Sequence, residues 1–307
     1  MKPLLSICIP TYNRSSYLKQ TIDSIVCQKE FIEKEVELVI SDNASTDDTK
    51  EICRYYCDKY ENFYYFCNET NVMDQNFPLA LSRAHGKIRK LNNDTFVLYE
   101  NSLNFLCEEI KKAGEERFIY FINENSSLPY DQEYEEFIKN ISFKLSWIAS
   151  FLFWEKDCEG IAQKVDGCEL KLWQIKRILE FASQYKSIRV IQKNIGKSIV
   201  PDKKDLSYGI YTVFHDNLLS IIEEFENKGV IHRDTVEQIE KDLLFNFFHP
   251  WLINYKLYKN KYKFSSKENM EMRIKKAYQD KPYWKSFKKQ FRWDYLKSMV
   301  KKLLRRT

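Results

Sequence analysis

The sequence predicts an α/β fold: a mostly parallel sheet flanked by helices, followed by a helical C-terminal extension. Three observations carry that expectation. Short apolar runs at Leu4–Pro10, Glu37–Ile40 and Phe63–Phe66 alternate with segments of helical spacing, the pattern of buried parallel strands joined by right-handed crossovers. Each run leads into a polar cluster, as strands do where their carboxyl ends open into a ligand crevice. From about Tyr211 onward the spacing is helical.

Leu4-Leu5-Ser6-Ile7-Cys8-Ile9-Pro10 is the first strand and Thr11-Tyr12-Asn13-Arg14 the loop after it. Ser15 or Ser16 suits the cap of a helix carrying Leu18, Ile22, Ile25 and Val26 on one face. The second strand runs into Ser41-Asp42-Asn43-Ala44-Ser45-Thr46-Asp47, where Thr46 or Asp47 caps a helix over 49–60. After the third strand come a loop over 68–76, a helix from about Phe77 to Ala84, and the extended stretch Gly86 to Thr95. Phe96–Tyr99 reads as extended, 101–113 as a helix and Arg117–Ile122 as a strand. Residues 143–154 form an aromatic helix-to-strand segment, 170–185 a helix, and 188–199 contain a strand. The expected division is a domain over 1–215, with a nucleotide half at about 1–95 and an acceptor half at about 96–215, and a helical region over 216–307.

Composition bounds the function classes. With 44% hydrophobic and 30% charged residues, and only 7 Gly and 7 Pro among 307 residues, a soluble globular chain is expected. The eight cysteines show no C-x-x-C spacing, and Cys53 and Cys57 stand one helical turn apart. With no signal-peptide pattern ahead of the first strand, they read as reduced thiols of a cytoplasmic protein. No apolar run approaches the roughly 18 residues of a membrane span. The net charge of +5 is uneven: residues 281–307 hold ten Lys/Arg against Asp294 alone, so basic character belongs to the C-terminus.

Four stretches in this order resemble glycosyltransferase family 2, the inverting nucleotide-sugar enzymes of GT-A fold. They are Ser6-Ile7-Cys8-Ile9-Pro10-Thr11-Tyr12-Asn13-Arg14, Val39-Ile40-Ser41-Asp42-Asn43-Ala44-Ser45-Thr46-Asp47, Asn68-Glu69-Thr70-Asn71 and Ala84-His85-Gly86-Lys87. The resemblance implies that Pro10, Thr11 and Tyr12 line a nucleotide pocket with Tyr12 packed on the base. It also implies that Arg14 adds positive charge and that Asp42 accepts bonds from base or ribose. Asp47 reads as a cap. One departure is plain: Met73 stands where the family commonly has glycine.

The family usually carries a D-x-D motif, one carboxylate of which binds a divalent metal, Mg2+ or Mn2+, that bridges the diphosphate. Here the motif falls on Asn93-Asp94-Thr95 or on Asn92-Asn93-Asp94, so Asp94 is the one acid of the site, with Asn93 a neutral oxygen ligand beside it and His215 a further metal candidate. An inverting enzyme also needs a general base for the acceptor hydroxyl. Glu155, Asp157, Asp166 and Glu169 are candidates, and the helix after residue 170 favours Asp166 or Glu169. Trp173 in that helix reads as core.

Trp284 to Leu304 reads as an amphipathic helix, with Phe287, Phe291, Tyr295, Met299 and Leu303 every four residues among Lys and Arg. That composition suits an anionic membrane surface, and the competing reading is a surface helix packed on the domain. No nucleic-acid motif accompanies it. The expected function is transfer of a sugar from a nucleotide-diphosphate sugar, a uridine diphosphate sugar by family frequency, to a glycan or lipid-linked glycan in bacterial surface polysaccharide synthesis. The expected location is the inner face of the plasma membrane, as a peripheral protein. The alternative is a non-catalytic nucleotide-sugar or glycan-binding member of the same fold.

Overall fold

The computed structural model describes residues 2–199, 208–258 and 269–304, and by backbone the short paired strands 205–206 and 263–264. It comprises two compact units, 1–140 with 145–200, and 141–144 with 201–307.

The first unit is an α/β sheet. Its strands are β1 (Leu5–Thr11), β2 (Val36–Asp42), β3 (Phe63–Cys67), β4 (Ile88–Leu91), β5 (Phe96–Leu98), β6 (Arg117–Ile122), β7 (Asp131–Gln132), β8 (Phe151–Trp154), β9 (Ser187–Gln192) and β10 (Gly196–Ser198). Eight of them form one sheet in the order β3-β2-β1-β4-β8-β6-β9-β7, and β5 pairs with β10. Strands β3, β2, β1 and β4 are mutually parallel, as are β6 and β9, whereas β8 runs antiparallel to both its neighbours. The expected mostly parallel sheet is therefore present, with β8 reversed at its centre and β7 reversed at its edge. Helices α1 (Ser15–Val26), α2 (Lys29–Ile32), α3 (Thr49–Lys59), α4 (Asn76–Ser82), α5 (Ser102–Ala113), α6 (Tyr134–Ile141) and α7 (Trp173–Ala182) flank it.

Apolar runs become strands because both faces of this sheet are covered. All seven residues of β2 are buried, and Leu5, Ile7, Ile9, Leu38, Ile40, Leu18, Ile22 and Ile25 share one cluster with Leu103, Leu106 and Ile110 of α5. A polar staple inside that core sets the register of β4. The buried Glu37 carboxylate accepts Ser6 Oγ at 2.6 Å, the His85 N–H at 2.6 Å and the Gly86 N–H at 3.2 Å. Ser6 Oγ in turn accepts the Gly86 N–H at 2.8 Å. A Cβ on Gly86 would lie 2.5 Å from Ser6 Oγ and 2.9 Å from its backbone nitrogen, so only glycine permits this approach.

One helix start departs from its expected local cap. Neither Ser15 nor Ser16 caps α1: the N-cap position is Arg14, without a side-chain cap bond. Instead Asp47 Oδ2 accepts the Ser15 N–H at 2.9 Å, while Oδ1 accepts Thr49 N–H at 3.2 Å and Thr49 Oγ1 at 2.6 Å. One carboxylate thus closes the N-termini of α1 and α3 together, where both helix dipoles favour a negative charge. Burial raises the Asp47 pKa, but these hydrogen bonds outweigh it and leave it below the usual value.

The loop after β3 shows what Met73 does in a glycine's place. Its φ is +52°, a left-handed conformation, and its side chain is 66% exposed. Asn71 Oδ1 holds its N–H at 2.8 Å. The loop keeps a glycine-like backbone at some conformational cost.

The second unit is helical: α8 (Leu218–Asn227), α9 (Arg233–Asp242), α10 (His249–Leu257), α11 (Met270–Tyr278) and α12 (Trp284–Leu304). Segments 212–217 and 243–248 carry π-helical turns leading into α8 and α10. Much of the high aromatic content packs here: Tyr211 stacks on Phe248, Phe214 meets Phe247, and Phe245 meets Phe287. Residue 215 was the expected end of the sheet domain, yet 208–215 group with these helices. Among the described residues no helix is long and apolar enough to cross a membrane, and all eight cysteines are free thiols.

Two stability predictions follow from strain and burial. Met73→Gly relieves a left-handed conformation that costs a side-chain-bearing residue about 1–2 kcal/mol, partly offset by glycine's larger unfolded-state entropy. Urea unfolding should show the variant more stable by up to about 1 kcal/mol, and a loss would contradict the strain. The fully buried Lys90 donates to Ala149 O at 2.6 Å and Leu91 O at 3.1 Å, matching the two N–H donors of a neutral amine, and burial pushes its pKa down to about 7. Between that value and the ordinary lysine value of about 10.4, the unfolded chain holds a proton that the folded chain lacks, so this group makes stability rise with pH. The wild-type unfolding free energy minus that of Lys90→Met should grow from about pH 7 to about pH 10; a constant difference would show a charged, paired lysine.

Candidate functional site

The site forms where β1, β2 and β4 end side by side. Thr11 pairs with Asp42 across β1 and β2, and β4 runs parallel to β1 on its other side. The ladder extends one step further, with the Asn92 N–H donating to Cys8 O at 2.8 Å. The polar cluster after β4 therefore arrives beside Thr11, at the carboxyl edge of a parallel sheet.

Asp94 is its centre. Oδ2 accepts Thr11 Oγ1 at 3.0 Å and Oδ1 accepts Arg14 Nη1 at 3.1 Å. The backbone carbonyl of Asp94 accepts Thr21 Oγ1 of α1 at 2.8 Å. Its side chain is 5% exposed, while that of Arg14 is 52% exposed, so the guanidinium reaches from a buried carboxylate to open solvent. Burial pushes the Asp94 pKa up, and the Arg14 charge and the bonds from Arg14 and Thr11 hold it back. The neighbouring asparagines build the turn. Asn92 Nδ2 donates to Asn93 O at 3.0 Å and Phe96 O at 3.2 Å, and Asn93 Oδ1 accepts Trp147 Nε1 at 3.0 Å.

The rim comes from two loops zipped together. Asn13 Oδ1 accepts the Thr46 N–H at 2.8 Å and the Asn13 N–H donates to Ser45 Oγ at 2.9 Å. Tyr12 stands out from this rim, 44% exposed, with Pro10 half-buried before it. Asp42 is fully buried; Oδ1 accepts the Ser45 N–H at 2.9 Å and Oδ2 accepts the Tyr65 hydroxyl at 2.7 Å. Tyr65 is driven above the usual phenol range by burial and then by this bond.

The remaining residues singled out in the sequence have partners of their own. Asp157 is buried, its Oδ2 accepting the Tyr185 hydroxyl at 2.7 Å and the Trp154 N–H at 3.1 Å; burial raises its pKa. Asp166 pairs with Arg177 at 2.8 Å and Lys176 at 3.1 Å; burial raises its pKa, but these cations outweigh it and leave it below the usual value. Glu155 pairs with Lys2 and, at 3.6 Å, with Arg89. Glu169 is exposed, with Oε2 accepting the Gly167 N–H at 2.9 Å. Trp173 is fully buried. His215 lies in the helical unit, stacked on Tyr211 at 4.4 Å with Nδ1 2.9 Å from Asp216 Oδ1. Burial lowers its pKa, and its surroundings are those of a packing histidine.

Thr21, Trp147 and Tyr65 were not singled out in the sequence, yet they hold Asp94, Asn93 and Asp42 in place. No local signal marks them, because each partner lies 23 to 73 residues away.

The donor set can be tested against a divalent cation. It is all oxygen, the chemistry Mg2+ and Mn2+ take, and a cation held by one carboxylate plus a ligand's phosphates is an ordinary arrangement for Mg2+. Asp94 accepts Thr11 on one oxygen, Arg14 on the other and its own backbone N–H, fewer than the roughly four bonds a carboxylate can accept. The residues fit a cation completed by a phosphate-bearing ligand rather than a closed protein cage.

Comparison with known proteins agrees with this architecture. Residues 6–128 match the model of Glycosyl transferase family 2. The abequosyltransferase RfbV of Salmonella typhimurium is 40% identical over 106 residues, covering 34% of this chain and 31% of that protein. A GalNAc(5)-diNAcBac-PP-undecaprenol beta-1,3-glucosyltransferase of Campylobacter jejuni is 29% identical over 113 residues, 36% of each chain. The chain thus spans about a third of the length of these relatives. Among solved structures, S. aureus TarS 1-349 in complex with UDP superposes with a TM-score of 0.57 at 18% identity, over 90% of this chain and 78% of that one. The mannosyltransferase PcManGT of Pyrobaculum calidifontis, in complex with GDP-Man and Mn2+, gives 0.57 at 14% identity, over 99% and 88%. Sequence match and fold together show that residues 6–128 belong to glycosyl transferase family 2, in a GT-A fold.

Proposed function

We propose that the protein is an inverting glycosyltransferase. It would move a sugar from a nucleotide-diphosphate sugar, a uridine diphosphate sugar first among them, to a glycan or lipid-linked glycan of a bacterial surface polysaccharide. The observation that carries the reading is the buried Asp94 carboxylate at the carboxyl edge of the sheet, with Arg14 reaching from it to solvent. It supplies fixed charge where the diphosphate of such a donor would lie. TarS was also solved with UDP-GlcNAc, and both relatives above carry names of sugar transferases.

In this reading Tyr12 packs on the base, Asp42 shapes the base pocket through the Ser45 turn, and Arg14 meets the diphosphate. Asp94 and Asn93 would hold a divalent cation with the donor's phosphates; such a cation offsets the charge that develops on the leaving diphosphate. The acceptor hydroxyl attacks the anomeric carbon as the bond to the diphosphate oxygen breaks, and a carboxylate takes the hydroxyl proton. Of the four candidates for that base, Glu155 is paired with Lys2 and Arg89, and Asp157 and Asp166 are committed to a buried turn and to the cations Arg177 and Lys176, so Glu169 is the assignment. An acceptor carried on a lipid would place the protein on the inner face of the plasma membrane.

A second reading, a nucleotide-sugar-binding protein without turnover, is favoured by one observation: both Asp94 oxygens already have protein donors. Calorimetry with a panel of nucleotide sugars, with and without Mn2+, followed by turnover assays, separates the two. Cation-dependent binding with transfer supports the enzyme, and binding without transfer on any acceptor supports the alternative.

Asp94→Asn should lower transfer by about 100-fold or more, the scale of removing one electrostatic stabiliser, and undiminished transfer removes Asp94 from the mechanism. Because burial raises its pKa, cation-dependent donor binding should fail on acidification at a pH above the ordinary aspartate value of about 3.9, and Asp94→Asn should lack that step. Glu169→Gln should reduce turnover by about 10²–10⁴-fold with unfolding unchanged. Asp157→Asn should instead lower stability by about 1–3 kcal/mol; the opposite pattern transfers the base assignment to Asp157.

A further inference from the structure

The C-terminal helix α12 has two apolar faces, and the packed one carries Phe287, Phe291 and Tyr295, the first part of the stripe that the sequence suggested for a membrane, whereas Met299 and Leu303 of that stripe are exposed. Trp284, Phe287, Phe291 and Tyr295 stack in series, with ring centroids 5.4, 6.0 and 6.2 Å apart. His249 of α10 lies edge-on to Phe287 and Phe291, and its Nε2 is 3.4 Å from Asp294 Oδ2. The Lys302 ammonium donates to Leu257 O at the end of α10. Phe287 is 3% exposed. At 3.6 residues per turn, positions 287, 291, 294, 298 and 302 share one side of the helix.

On the opposite side lie Trp293, Leu296, Val300, Leu303 and Leu304. All five are exposed, from 50% at Leu296 to 69% at Leu304. Their spacing is that of a continuous helical stripe, about 17 Å long at 1.5 Å per residue. The exposed basic side chains of Lys285, Lys289 and Arg292 precede it, and Lys297 and Lys301 flank it. Arg305 and Arg306 continue the basic run in sequence and lie outside the described residues.

We propose that this outer face of α12 seats the protein on an anionic phospholipid surface. The apolar stripe would enter the headgroup boundary, with Trp293 at the interface and the lysines and arginine against lipid phosphates. Charge selects this occupant. The helix holds one acid, Asp294, and it is turned toward His249 on the packed side. A second copy laid on the same face would set lysine against lysine, whereas an anionic surface meets uncompensated positive charge. Apolar residues with flanking cations and a boundary tryptophan are the composition of a helix lying in the membrane plane. The inference identifies the surface behind the membrane contact named above. It does not depend on the transfer reaction, because binding is read without donor or acceptor.

The test uses the full chain and flotation with vesicles of phosphatidylcholine alone or of equal parts phosphatidylcholine and phosphatidylglycerol. The expected result is binding to the anionic vesicles, weakened by salt, with little binding to the neutral ones. Trp293→Ser, Leu296→Ser and Leu303→Ser combined should reduce binding by about tenfold or more, and so should Lys289→Glu, Lys297→Glu and Lys301→Glu combined. All these side chains are exposed, so an unchanged thermal transition verifies the fold. Equal binding to neutral vesicles, or unchanged binding in the Ser triple variant, overturns the proposal. So does the absence of vesicle binding together with a dimer that the Ser triple variant dissolves, which would assign the face to a second copy. Loss of vesicle binding with intact transfer to a water-soluble acceptor separates this inference from the fate of the transferase reading.

Discussion

A buried carboxylate must be paired or it will not stay ionised, and at Asp94 that requirement shapes the whole carboxyl edge of the sheet. Thr11 at the end of β1, Arg14 at the start of α1 and Thr21 within α1 all bond to this one residue. Its place depends in turn on β4, whose register is set by Glu37, Ser6 and Gly86 some way back along the strand. Core and crevice are therefore linked through polar groups: the staple inside the sheet fixes the strand, and the strand delivers the carboxylate.

The same economy appears at Asp47, which closes two helix ends with one side chain. Together with the Asn13 and Ser45 contacts, it holds the two rim loops as one piece. Fixing a rim in this way lowers the entropy cost of any binding to it. It leaves Tyr12 and the Arg14 guanidinium exposed on this rim. The helical unit uses a different material. Its aromatic rings stack on one another around Tyr211, Phe248 and Phe287, and burial there lowers the pKa of His215.

Much of the sheet around β1, β2 and β4 was legible because its signals are local. Continuous apolar runs mark strands buried on both faces, and the polar clusters after them mark the crevice, so Thr11, Tyr12, Arg14, Asp42 and Asp94 stand together as the sequence implied. The acids of residues 157–169 were less legible. Asp157, Asp166 and Glu169 look alike as isolated acids, and only their partners, a tyrosine hydroxyl, two cations and a backbone N–H, set them apart. The reversed direction of β8 was also invisible, since a short apolar strand reads the same either way.

By itself the sequence determined the alternation of strands and helices, the family-like stretches and the basic end of the chain, all properties of neighbouring residues. Tertiary structure alone decided that neither serine caps α1, that Met73 takes the left-handed backbone of a glycine, and which face of α12 is covered. The physical reason is common to all three. A residue's periodicity and type constrain what it can do, but its partner is chosen by packing across tens of residues. A helix with apolar residues on two sides carries no local mark of the side that will meet its neighbour.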